Sequence, residues 1–139
     1  MTYDEARQSL VGYFNAEFSA AFLGVPVEYD NRNLVDLEAQ AAIGPFLELA
    51  VLFDDSTQAS FGAPVLERTT GMMQVIVHAP VGSGSANANE ILEWVKRRMR
   101  RLNLPSGVQT SGARRSSAGE IPGFSSEALL VGFWYDDFG

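Results

Sequence analysis

The segment that most constrains this chain is residues 71–102, GMMQVIVHAPVGSGSANANEILEWVKRRMRRL. Residues 72–79 are largely apolar and rich in β-branched side chains, which predicts a strand buried on both faces or nearly so. Pro80 has no amide proton to give to a ladder, so the strand stops about there. Gly82, Ser83 and Gly84 turn the chain, and Asn87 with Glu90 three residues on has the spacing of a helix N-cap pair. Apolar residues then recur at Ile91, Leu92, Val95, Met99 and Leu102, which is one face of a helix. That helix also carries Lys96, Arg97, Arg98, Arg100 and Arg101. The rest of the chain has to cover this strand–turn–helix unit.

Thr2 and Glu5 have capping-box spacing, and Ala6, Leu10, Tyr13, Phe14, Phe18 and Ala21 then line one face of a helix over residues 3–21. Gly24 and Pro26 end it, and residues 25–31 read as extended chain. Residues 31–45 fit a short helical turn or a loop equally well. Residues 46–53, apolar except for Glu48, form a second strand, antiparallel to 72–79, with 65–70 leading into the latter. Between them, residues 54–64 read as a loop. Pro105 and Gly107 interrupt the chain after the basic helix. Residues 108–117, with Arg114 and Arg115, suit an exposed edge strand. Residues 116–127 are rich in turn formers, and 128–135 make a third strand whose Gly132 marks a bulge or a close backbone approach. Residues 54–64 and 112–126 hold few large apolar anchors, so they are expected to order only on assembly. The expectation is one α+β domain over residues 1–139, a mostly antiparallel sheet with two helices packed on one face.

Charge is segregated along the chain. Residues 1–67 hold eleven Asp and Glu against Arg7 and Arg32, whereas residues 94–115 hold seven Lys and Arg and no acid. Copies of such a chain can meet acidic face to basic face, and contacts of that kind close into rings. The plainer reading is two solvated faces. A net charge of −7 argues against a dedicated duplex-binding protein, which needs a dominant basic surface. The absence of cysteine excludes disulfides, thiolate metal sites and cysteine nucleophiles. No run is long enough to span a bilayer, and the polar, acidic start is no secretory signal, so an intracellular protein without membrane association is expected.

Several elements together resemble a known family. Pro26-Val27-Glu28-Tyr29-Asp30-Asn31 is followed by the strand at 46–53, by Arg68 shortly before Gly71, and by a strand that runs into Pro80-Val81-Gly82-Ser83-Gly84. An alanine-containing amphipathic helix comes next, over 86–101. In order and spacing this is similar to the tail terminator proteins of phages with long, non-contractile tails, the lambda-like type, over about residues 8–102 plus the final strand. The pattern departs from the family in residues 31–45 and 111–127. The resemblance implies a structural virion protein of the tail, assembled in the host cytoplasm as a six-membered ring. Such a ring caps the tail tube, ends its polymerisation and offers a surface to the head-completion or connector protein. Its partners would be further copies of itself, the tube protein and the connector, with DNA only in transit through the lumen. No enzyme activity and no cofactor are implied. The alternatives are another neck or tail-completion protein, or a small non-viral α+β ligand-binding module or enzyme.

Within that reading Arg97, Arg98, Arg100, Arg101, Arg114 and Arg115 are candidates for a subunit or partner interface. Cations at a helix C-terminus stabilise it, but four exceed that need. Asp54 and Asp55, on a flexible loop, are candidates for an acidic lumen that lets DNA pass. His78, the one histidine, is expected to be structural, with no activating partner evident. The Gly82–Gly84 turn lacks the Lys-Ser/Thr of a phosphate loop, so it reads as a plain strand–helix connection; the ligand-binding alternative would use it as an anion site. The pairs Asp54-Asp55 and Asp136-Asp137 suggest a divalent cation only weakly, since neighbours in a strand point to opposite faces. Trp94, Trp134 and Tyr135 are expected in core and rim.

Overall fold

The structure, a computed structural model, describes residues 1–29, 37–58, 66–82, 86–118 and 121–138. Its elements in chain order are α1 (Tyr3–Ala21), β1 (Val27–Tyr29), α2 (Leu37–Ile43), β2 (Phe46–Gln58), β3 (Leu66–Pro80), α3 (Ala86–Met99), β4 (Gln109–Ser117) and β5 (Phe124–Phe138). The strands form one sheet in the order β1-β2-β3-β5-β4. Among the described residues, only the short β1–β2 pair is parallel. The fold is α+β.

Helix α1 starts where its capping box forms. The Thr2 hydroxyl accepts the Glu5 amide at 3.1 Å, and the Glu5 carboxylate accepts the Thr2 amide at 3.4 Å. Ala6, Leu10, Phe14 and Phe18 are buried, and the chain leaves the helix through Phe22 and Gly24, which takes φ +81°. Ala21 stays exposed. Full burial of each of Phe14 and Phe18 contributes about 1.5–3 kcal/mol. Phe18 and Phe22 meet Trp94 edge-on at 5.6 and 5.5 Å, so α1 and α3 lie side by side. Both pack on the sheet face made by Leu47 and Leu49, Met73, Val75 and Val77, and Leu129, Val131, Phe133 and Tyr135.

The opposite face is closed only at one end. There Phe46, His78, Phe124 and Ala128 are buried, and α2 contacts β3. Farther along, Ala50, Met72, Gln74, Ile76, Leu130 and Trp134 are only partly covered, and Leu52 is 56% exposed. The expected strand at 72–79 is therefore fully buried on one side only. The reason is that two helices lie on one face, while the seven-residue α2 is too short to cover the other.

The strands are longer than their apolar runs. Segment 54–58 belongs to β2 and not to a loop, because the strand continues past a register shift between Phe53 and Ser56 and finds partners in Glu67, Arg68 and Thr69. Residues 112–117 are likewise inside β4, and 124–126 inside β5. Long neighbouring strands supply ladder partners there, which offsets the lack of apolar anchors. The remainder of the expected loop, residues 59–64, lies outside the described residues, as does residue 65 of the expected strand lead-in. Helix α3 begins at Ala86, so Asn87 is a first-turn residue rather than the cap; helix ends shift by a residue without changing the pattern inside. Residues 83–85, including two of the turn residues and the center of the anion-site alternative, lie outside the described residues. Two interior glycines are closely approached, Gly71 by backbone and an aromatic ring, Gly132 only by a serine hydroxyl that can turn away. A Cβ at Gly71 would collide with the Leu52 carbonyl oxygen and the Phe133 ring, and one at Gly132 with the Ser111 hydroxyl. At the second, β4 shifts register between Thr110 and Ala113.

Candidate assembly surfaces

The C-terminus of α3 is fixed by a buried side chain of β4. Thr110 donates its hydroxyl to the Met99 carbonyl and accepts the Leu102 amide at 2.7 Å, tying the last helical turn to the sheet. Arg101 takes φ +53°, and its amide reaches the Ser111 carbonyl at 3.0 Å. This clamp aims the arginines outward.

The six arginines singled out from the sequence do not form one patch. Arg98 lies 5.5 Å above the Trp94 ring and 3.9 Å from the Glu17 carboxylate. Arg115 bonds Asn89 of α3 at 2.9 Å and pairs with Glu127, so it braces β4 against the helix layer. Arg97, Arg100, Arg101 and Arg114 are exposed and make no ion pair among the described residues. Arg114 stands opposite Leu130, on the bare side of the sheet, and is thus separated from the helix group. Arg97 and Arg98 border a shallow cleft of about 480 Å³ with Phe22, Trp94 and Glu90. Leu23, beside it in sequence, is 85% exposed.

Asp54 is exposed in β2 and accepts the Thr70 hydroxyl at 3.4 Å. It belongs to the bare face with Leu52, at its rim. Asp55 shares the register shift, but its side chain lies outside the described residues. The ground for assigning both to a flexible lumen loop is therefore absent. Asp136 and Asp137 are used within the chain. Arg68 grips Asp136 through two hydrogen bonds of 2.8 and 2.9 Å while stacking on Trp134 at 4.1 Å, and the Met1 amino group reaches Asp137 at 2.8 Å. The Arg68 guanidinium holds the Asp136 carboxyl below its ordinary range. No cluster of three metal-binding side chains occurs among the described residues.

His78 has partners that the sequence did not reveal, because they come from three other strands. Its Nδ1 lies 2.5 Å from the Ser126 hydroxyl, its Nε2 3.1 Å from the Glu48 carboxylate without the alignment of a hydrogen bond, and its ring stacks on Phe46 at 4.7 Å. Burial pushes its pKa down, against the upward pull of Glu48 and of buried Glu28. A serine, a histidine and a carboxylate in line can relay a proton. Ser126, however, lies within the β3–β5 ladder opposite His78, and not on a sharp turn with free amides for an oxyanion. The cluster reads as a buried polar network.

No helix among the described residues is long and apolar enough to cross a membrane. No protein-family model and no curated protein matches the sequence. Among solved structures, the chain is similar to a protein known only by a sequence identifier, with a TM-score of 0.65 and 18% identity, over 98% of this chain and 95% of that one. At that identity the likeness establishes a shared fold.

Proposed function

We propose that this protein is a non-catalytic assembly unit, a tail terminator that forms a homo-oligomeric, six-membered ring on the end of a phage tail tube. The observation that carries the reading is the half-bare sheet. Leu52 is exposed, and Met72, Ile76, Leu130 and Trp134 beside it are only partly covered, which leaves an apolar face available to a partner. Arg97, Arg100 and Arg101, which make no ion pair among the described residues, and the acidic excess of residues 1–67 add complementary charge. The order of motifs from Pro26 to the helix after Gly82 supplies the choice of family. In this role the ring stops tube growth and offers its other side to the head connector, and DNA passes through it.

Native mass spectrometry of the purified protein, with and without tail tubes, tests this. A closed ring, formed alone or on tube ends, is expected. The Arg97→Glu/Arg101→Glu double variant should lose assembly while keeping the monomer's melting temperature. Chains that stay monomeric at high concentration and ignore tube ends would overturn the proposal. Rings that form but do not bind tubes would point to a neck protein instead.

A further inference from the structure

We propose that the Phe22–Trp94–Arg97 cleft of one copy seats the Leu52–Asp54 corner of β2 on the bare sheet face of a second copy, a head-to-tail contact between identical chains. The inference rests on the ring reading and specifies which surfaces meet.

Four observations lead to it. The cleft combines an aromatic floor with a cation that makes no ion pair among the described residues: Phe22 and Trp94 pack edge to face, and Arg97 borders them. Glu17 balances Arg98, which leaves Arg97 to meet an incoming carboxylate, and that carboxylate has to seat at the Arg97 side of the cleft, away from Glu90 on its border. The β2 corner has the matching chemistry, since Leu52 is 56% exposed and Asp54, two residues on, lies on the same face. Among the described residues, the cations nearest that corner do not compete for Asp54. Arg68 is held by Asp136 and Trp134. Arg114 lies three strands away in the order β2-β3-β5-β4, which is roughly 14 Å at ordinary strand spacing.

The two surfaces cannot meet within one copy. Phe22 leads into β1, whose Val27 pairs with Leu47 at the start of β2. Asp54 is seven residues farther along that strand, roughly 23 Å away, and Leu52 and Asp54 are on the side away from the helices. A contact between helix layer and bare face therefore joins different surfaces on the two partners. Such heterologous contacts generate rings when the rotation closes. It would also cover the apolar half of the sheet that α2 leaves open.

The absence of cysteine makes the contact directly testable. Arg97→Cys and Asp54→Cys chains are mixed and treated with a short bis-maleimide. A heterodimer is expected from the mixture, and none from either variant alone. A chain bearing both changes should give covalent multimers beyond the dimer. As a second readout, Arg97→Glu and Asp54→Lys should each weaken self-association by about tenfold or more, and the combined variant should recover most of it. If the wild type forms rings but neither cross-linking nor charge exchange has an effect, this contact is wrong and the ring reading survives. If the wild type stays monomeric at every concentration and on tube ends, both fail together.

Discussion

Gly71 shows how one residue sets the packing of a whole end of the molecule. It lets β3 pass beneath the Phe133 ring, which meets Phe53 edge-on at 5.5 Å, while Phe53 stacks on Tyr3 at 4.6 Å. Adding a single methyl there forces the Phe133 ring and the Leu52 carbonyl apart, and overpacking of this kind costs about 1–3 kcal/mol. Gly71→Ala should therefore lower the unfolding free energy by that amount, seen as a lower denaturant midpoint with an unchanged slope; an unaltered midpoint would show that the ring moves freely. His78 provides the second residue-scale prediction. Its proton affinity is lowered in the fold by burial, so the unfolded chain binds the proton more readily. Stability is then complete above the ordinary histidine value of 6.5 and falls as the pH drops below it, by no more than about 1.4 kcal/mol per pH unit. The carboxylates facing the ring, Glu48 from β2 and Glu28 from β1, oppose the loss without reversing it. Chemical unfolding between pH 7 and 5 should show the decline in the wild type, and His78→Gln, which retains a polar partner for Ser126, should flatten it. Equal slopes in the two proteins would mean that another group titrates.

At the scale of elements, what was legible in the sequence was whatever a single periodicity encodes. Helix α1 follows from its capping box and from Ala6, Leu10, Phe14 and Phe18. The β3–turn–α3 unit follows from β-branched residues that end in a proline and a glycine turn. The pairing of β2 with β3 followed from two apolar runs separated by a loop. Strand extensions were not legible. Residues 54–58 and 112–117 are polar, and their ladders depend on neighbours in other strands, Glu67 to Thr69 for one and Glu127 to Val131 for the other. The candidate site was legible only as composition. A run of arginines reveals charge, but the splitting of that run depends on contacts. Arg98 is taken up by Trp94 and Glu17, Arg115 by Asn89 and Glu127, and Arg114 falls on the opposite face by strand alternation alone. The same limit hid the His78 cluster, whose members sit on four different strands.

For the whole molecule, folding and assembly draw on different forces, and salt separates them. The core is apolar, made by the rows on β2, β3 and β5 against α1 and α3. Among the described residues, the ion pairs Met1 to Asp137, Arg7 to Asp4, Arg68 to Asp136, Arg98 to Glu17 and Arg115 to Glu127 all involve partly exposed groups. Pairs of that kind are worth about 0–1 kcal/mol each and weaken in salt. They also offset one another against the self-repulsion of a chain with net charge −7, which salt relieves. The contact proposed between copies instead sets Arg97 against Asp54, and attraction between such exposed charges is lost once the screening length falls from about 10 Å at 0.1 M salt to about 3 Å at 1 M. Raising salt over that range should therefore dissociate rings in light scattering while the monomer's melting temperature shifts by only a few degrees, on the order of what 1 kcal/mol produces in a domain of this size. Rings that persist at 1 M salt would mean that the apolar face alone holds them. A melting temperature that collapses with salt would mean that ion pairs, and not the apolar core, hold the fold.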